Sequence, residues 1–346
     1  MRTGEKKGLL LVNLGTPDNT EVASVRRYLR EFLSDPRVVD LPPLGRWLLL
    51  NLIILPFRPA KSAEAYRQIW TPEGSPLLVH GRGLAAATAE ALGEGWEVAL
   101  AMRYGNPSIA AGLDALEAAG ASEIVLLPLF PQYASSSYGS AVDAVYREAA
   151  RREVVPPLRV VPPFYDDPGY LEAVAQSVRS LPAAVEADHL LFSFHGVPER
   201  HLRRADPTGA HCLASSDCCA RPSPAHRGCY RRHCYQSAAG IAARLSLEPG
   251  RWSVAFQSRL GRTPWIRPYT DEAIQALAAQ GVRRLAVAVP SFVADCLETL
   301  EEIGLRADES FRAAGGESLT LVPSLNSAPG WVEAVAALAR GRGAAS

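Results

Sequence analysis

The chain has 346 residues, too many for one ordinary hydrophobic core and suited to two domains of about 150–170 residues each. Its 48% hydrophobic and 21% charged content is that of a soluble globular protein, not of a disordered or membrane-spanning one. The 36 basic and 36 acidic side chains cancel, which excludes a nucleic-acid partner held by net charge.

The segment Met1–Lys7 is charged, but the apolar run after it breaks at Asn13 without a small-residue cleavage site, so it reads as a first strand and not a signal peptide. No run approaches the roughly 20 apolar residues that cross a bilayer. A cytoplasmic protein with reduced thiols is expected. Five of the six Cys lie between Cys212 and Cys234, which favours a metal site over disulfides.

Val/Ile/Leu-rich runs closed by Gly or Pro recur along the chain: Leu9–Gly15, Val98–Gly105, Ile124–Pro131 and Leu158–Pro163, then Leu190–Gly196, Val254–Gly261, Leu285–Pro290 and Leu319–Ser324. They are continuous and not alternating, as parallel strands covered on both faces require. The spacing nearly repeats between halves, which predicts an α/β chain of two similar lobes, each a four-stranded, mainly parallel sheet flanked by helices. The turn cluster Asp166-Asp167-Pro168-Gly169 places the boundary. Lobe one is then 1–166 and lobe two 167–346, with a cleft between them and the last helix expected to pack back on the first lobe.

The lobes differ between their first and second strands. In lobe one, Ser24–Asp35 forms an amphipathic helix stopped at Pro36. The stretch at about 38–58, centred on Leu41–Phe57, is apolar almost all round, either a buried helix or a lip that covers an apolar ligand and touches a membrane surface. A further helix is expected to start at Ser62 with that residue as its cap. In lobe two the interval, about 207–234, follows His195 and carries Cys212, Cys218, Cys219, Cys229 and Cys234. Such dense thiols want zinc or an iron–sulfur cluster; four would satisfy [2Fe–2S], and adjacent Cys218 and Cys219 make one of that pair the candidate spare.

His195 ends an apolar strand and is followed by Gly196 and Pro198, which puts the imidazole at the carboxyl edge where open parallel sheets bind ligands. After the third strand of the same lobe, Glu298, Glu301 and Glu302 fall within about one turn, with Glu298 and Glu302 on one face. The turns holding Arg103 and Tyr104, and Arg259 and Trp265, suit a large flat apolar ligand with acid groups. Phosphate-binding glycine loops and a Gly-x-Ser-x-Gly elbow are missing from the sequence.

Taken together, Leu10–Pro17, Ala63–Pro76, Leu127–Gly139, Ser193–Pro198, Phe256–Trp265 and Phe292–Glu302 resemble the ferrochelatases, which insert ferrous iron into a porphyrin at the end of haem biosynthesis. The resemblance spans nearly the whole chain and implies two Rossmann-like lobes around an active-site cleft. It implies that His195 and Glu298 are catalytic and meet the Fe²⁺ substrate, with Glu302 as a secondary metal site. It further implies that Tyr28, Arg103, Tyr104, Trp265 and Phe292 line the porphyrin. Cys296 stands where many relatives have a second histidine. The Cys-rich segment resembles the internal insert with which some bacterial members hold a [2Fe–2S] cluster. The expected reaction gives protohaem from protoporphyrin IX. The alternatives are coproporphyrin III or another tetrapyrrole as substrate and, outside catalysis, a haem or metal sensor. Expected partners are porphyrin and iron, the inner-membrane surface through the lip, and haem-pathway enzymes.

Overall fold

The structure, a computed structural model, describes residues 6–259, 261 and 263–341. The charged start Met1–Glu5, Leu260 and Arg262 of the Trp265 turn, and the tail beyond Gly341 lie outside the described residues. Two compact units form, one of residues 6–130, 135–163 and 326–341, the other of 131–134 and 164–325.

In the first unit the strands are β1 (Lys6–Thr16), β2 (Trp96–Gly105), β3 (Ala121–Pro128) and β4 (Leu158–Val160), all parallel, in the order β2-β1-β3-β4. In the second they are β5 (His189–His195), β6 (Trp252–Gln257), β7 (Arg284–Ala288) and β8 (Ser318–Leu321), parallel in the order β6-β5-β7-β8. The two sheets thus share one topology. Both central strands have helices on either face, so Leu9–Val12 and Leu191–Phe194 are wholly buried, and this is why these runs do not alternate. In each sheet the chain leaves the central strand to one side and returns to the other. The crevice this makes at the carboxyl ends lies between β1 and β3 in the first unit and between β5 and β7 in the second.

The helix Pro329–Arg340 belongs to the first unit, where it packs along the helix Pro76–Leu92, and Arg340 donates to the carbonyl of Ala91 at 2.9 Å. Gly15 lies at φ +116, and a Cβ there would meet the carbonyl oxygen of Tyr104; the close approach of β1 to β2 therefore needs glycine.

The apolar stretch of the first unit departs from the sequence reading. A short helix (Pro43–Leu48) passes into a π-helix (Leu49–Ile54) and on into the helix Leu55–Ile69. Ser62 therefore lies inside a helix and caps nothing. Pro56, at the join of the π and α segments, supplies no N–H to the turn before it. Pro59 has no N–H for the Leu55 carbonyl, which instead accepts the Arg26 guanidinium at 3.3 Å. The segment is also not buried all round: Leu44, Trp47, Leu52, Ile53 and Phe57 are each more than half exposed, beside exposed Arg58 and Lys61.

The framework of the first unit closes on Asp35. Its carboxylate accepts from the Arg103 guanidinium at 2.7 Å, the Tyr104 hydroxyl at 2.8 Å, the Ser140 hydroxyl at 2.5 Å and the Arg37 backbone N–H at 2.7 Å. Burial alone would raise the Asp35 pKa, but the hydrogen bonds from Ser140, Arg37 and Tyr104 and the charge of Arg103 outweigh it and hold the carboxyl below its ordinary 3.8. Because the folded value is depressed, the stabilisation is present above the ordinary value and is lost as pH falls through the lower one. D35A, which leaves Arg103 without its partner, is expected to cost about 3–5 kcal/mol at neutral pH. Urea unfolding should show the gap between variant and native protein narrowing on acidification.

Candidate functional site

His195 is the last residue of β5, paired with Gln257 of β6. Its backbone N–H donates to the Ser291 hydroxyl at 3.1 Å and its carbonyl accepts the Tyr230 hydroxyl at 2.7 Å. The ring Nδ1 lies 2.6 Å from the Gly196 carbonyl. A carbonyl only accepts, so Nδ1 carries a proton, and in the neutral ring the lone pair is on Nε2. The rings of Trp265 and Phe292 flank the imidazole, with centroids at 6.3 and 6.2 Å. Trp265 comes this close because Gly196 has no Cβ, which would stand 3.1 Å from the indole. The outgoing chain pairs with the Trp265 loop through Ile266 N–H to the Val197 carbonyl at 3.1 Å and Glu199 N–H to the Pro264 carbonyl at 3.0 Å.

On the other side of the β5–β7 crevice, Leu297–Thr299 opens a helical segment that becomes a π-helix over Leu300–Ala307. Cys296 caps it: its backbone N–H donates to the Thr299 hydroxyl at 3.0 Å while its thiol accepts the Thr299 N–H. The buried thiol also lies within hydrogen-bonding reach of the Glu298 carboxylate. The Glu298 backbone carbonyl is held by the Gln257 amide at 2.8 Å. Glu302 accepts both the N–H of Ser258 at 2.9 Å and its hydroxyl at 2.6 Å. Burial raises the Glu302 carboxyl above its ordinary value and the charge of Glu298 adds to this; the Ser258 hydroxyl and the nearby His195 and Arg306 act the other way. His195, Glu298 and Glu302 therefore share one electrostatic neighbourhood, with two aromatic walls beside the imidazole.

Of the other candidates, Tyr28, Arg103 and Tyr104 lie in the first unit. The Tyr28 hydroxyl bonds the Gly15 carbonyl at 3.0 Å, and its ring stacks on Phe32. Tyr104 is 1% exposed, its hydroxyl engaged by Asp35. Arg103 lies over the Tyr104 ring and is paired with Asp35. Arg103 and Tyr104 are thus bonded together through Asp35 at the end of β2, and Tyr28 reaches them through Phe32, whose ring lies 5.1 Å from that of Tyr104.

The five Cys of the insert are buried and free of disulfides. Asp206 organises their loop, accepting the backbone N–H of Thr208, His211 and Cys212 at 2.9, 2.8 and 2.8 Å. The rings of His211 and His226 both reach the Cys218 carbonyl, at 2.7 and 3.1 Å. The thiols of Cys212 and Cys219 lie within hydrogen-bonding reach of Cys229, with Cys218 beside them. The Cys219 hydrogen bond, helped by the N–H of Arg232 and by Cys212, pulls the Cys229 thiol below its usual value against the effect of burial. Cys234 stands apart, fully buried in the helix Tyr230–Arg244 and bonded to Tyr230. Its thiol is still within electrostatic range of Cys229. Among the described residues no three His, Cys, Asp or Glu side chains close on a single metal ion.

Sequence reasoning missed Asp35, Tyr230, Gln257 and Ser258. Asp35 was visible only as part of a helix stop before Pro36, and Ser258 only as the polar residue after a strand.

The chain matches the family model "Ferrochelatase" over residues 6–342. It is 54% identical to a ferrochelatase of Azotobacter vinelandii across 96% of this chain and 98% of that protein. It is 52% identical to one from Ectopseudomonas mendocina, covering 95% and 96%, and 45% identical to one from Coxiella burnetii, covering 98% and 95%. Among solved structures, "SirB from Bacillus subtilis with Fe3+" is similar with a TM-score of 0.53 at 14% identity, covering 97% of this chain and 94% of that one, a likeness of fold alone. On the family match and these identities, the chain belongs to the ferrochelatase family.

Proposed function

We infer that this chain is a metal chelatase that inserts Fe²⁺ into protoporphyrin IX to give protohaem, two pyrrole N–H protons leaving as the iron enters. The observation that supports this best is the imidazole of His195, with Nε2 free to act, two aromatic rings at its sides and carboxylates nearby. Neutral imidazole accepts a proton or ligates iron equally well. Glu298 and Glu302 would draw the cation toward the ring or carry the released protons outward. Trp265 and Phe292 would hold the porphyrin plane, and walls that fit a bent macrocycle better than a flat one would lower the barrier by differential binding. H195A should lose about 10²–10⁴-fold in kcat while still binding porphyrin, measured anaerobically with Fe²⁺. Protoporphyrin IX and coproporphyrin III assayed side by side identify the substrate. Absence of any metalloporphyrin product from the native protein would leave the sensor reading.

The donor set of the insert fits a [2Fe–2S] cluster, which takes four thiolates, and we assign Cys212, Cys218, Cys219 and Cys229 to it. The mutual reach of Cys212, Cys219 and Cys229, with Cys218 adjacent, supports that choice. A bound cluster would supply a cross-link between loop segments. Protein purified without oxygen should contain iron and acid-labile sulfide in equal amounts, lost in C212S and C219S and kept in C234S. One zinc without sulfide would rule the cluster out.

The exposed apolar face of the first unit, flanked by Arg58 and Lys61, is proposed to rest on an anionic bilayer surface. No helix among the described residues is long and apolar enough to cross a membrane. Vesicles containing phosphatidylglycerol should sediment the native protein, and L52D combined with F57D should release it. Equal sedimentation of both would refute the contact.

A further inference from the structure

The peptide groups on both sides of the His195 Cα are held by hydroxyls from outside the sheet. Ser291 takes the N–H at 3.1 Å, and Tyr230 donates to the carbonyl at 2.7 Å. The two hydroxyls are themselves neighbours, since the Tyr230 phenol also reaches Ser291. Tyr230 is buried and lies one residue after Cys229, which caps the helix Tyr230–Arg244 and whose thiol meets Cys212 and Cys219. A phenol has only two side-chain torsions, so a shift of the first helical turn at Cys229 passes to the hydroxyl with little slack. The thiol of Cys234, one turn further on, lies within hydrogen-bonding reach of the same phenol hydroxyl. The chain leaving His195 therefore returns, through the cysteine loop, to grip the peptide it started from.

We propose that Tyr230 is a positioning residue through which the Cys212–Cys219–Cys229 thiol group fixes the place of the His195 imidazole. The proposal rests on the reading of His195 as the iron-insertion centre, and makes the cysteine loop part of the apparatus that aims it. Tyr230 is buried, with its hydroxyl spent on the His195 carbonyl. It fixes that carbonyl while Ser291 and the Gly196 N–H to the Gln257 carbonyl at 2.8 Å hold the rest of the strand end, and the state of the thiols, bridged by a bound cluster or free, reaches the imidazole along this path.

The test is a double-mutant cycle on the full chain: native protein, Y230F, C229S and Y230F/C229S, each assayed anaerobically for kcat and porphyrin KM, with the His195 ring resonances followed by NMR and assigned against H195Q. Y230F should lower kcat about tenfold with KM within about twofold, the split expected of a mispositioned catalytic group. C229S should lower kcat when Tyr230 is present and add less than about twofold in the Y230F background. Both single variants should displace the His195 ring resonances. Independent, multiplicative effects of the two substitutions, or unchanged kcat and resonances in Y230F, would overturn the proposal. If Y230F melts well below the native protein, S291A removes the other hydroxyl of the clamp and must give the same kcat-selective loss; full activity in S291A then counts against the proposal. A native protein that inserts no iron would remove the chelatase reading, while the ring resonances would still decide for or against Tyr230.

Discussion

A parallel strand buried on both faces can present chemistry only where it ends, and β5 is such a strand. Everything at the site follows from that restriction. The imidazole has to be the last side chain of the run, its own N–H and carbonyl have to be satisfied by side chains from outside the sheet, and its partners have to arrive from the segment after β7, across the crevice. Ser291, Tyr230 and the Gly196 carbonyl answer the first demands. The Glu298–Glu302 segment, fastened to the end of β6 by Gln257 and Ser258, answers the last. Leaving any of those buried peptide groups unpaired would cost on the order of 1–3 kcal/mol, so the hydroxyls are part of the fold as much as of the site.

The same topology is used differently in the two units. At the carboxyl edge of the first sheet the polar groups are spent on one another: Asp35 gathers Arg103, Tyr104, Ser140 and the Arg37 N–H into a closed network. At the edge of the second sheet a ring nitrogen and carboxylates are left with capacity to react. One edge closes its polar groups on one another and the other gathers an imidazole and carboxylates, although strand order and direction are identical.

The strands were legible because burial on both faces leaves continuous apolar runs. His195 was legible because Gly196 and Pro198 mark where its strand stops, and the carboxylates because of their spacing. The helix from Leu55 was read as starting at Ser62, since two prolines look like breakers; Arg26 replaces the hydrogen bond that Pro59 cannot make, and that partner lies 29 residues away. Which thiols of the insert meet one another was not legible from spacing, because Asp206 and the two histidines fold the loop. Tyr230 and Ser258 carry no local signal, because a hydroxyl shows its purpose only through the tertiary neighbour it meets.

Arg306 pairs with Glu301 at 2.8 Å and approaches Glu302 at 4.0 Å, separations of five and four residues. In an ordinary α-helix residues five apart point well away from each other; the wider π turn brings them together. A π segment is in effect an α-helix with a residue inserted, so the aim of these carboxylates depends on a count of residues and not only on their identity. Deleting one residue between Glu302 and Arg306 would let the helix relax to 3.6 residues per turn, leave Glu301 and Arg306 four apart and still facing each other, and move Glu302 from four residues away to three, although no acidic or basic side chain need be changed. In this segment the genetic message that matters is length, and a comparison of sequences that tolerates a one-residue gap there would overlook it.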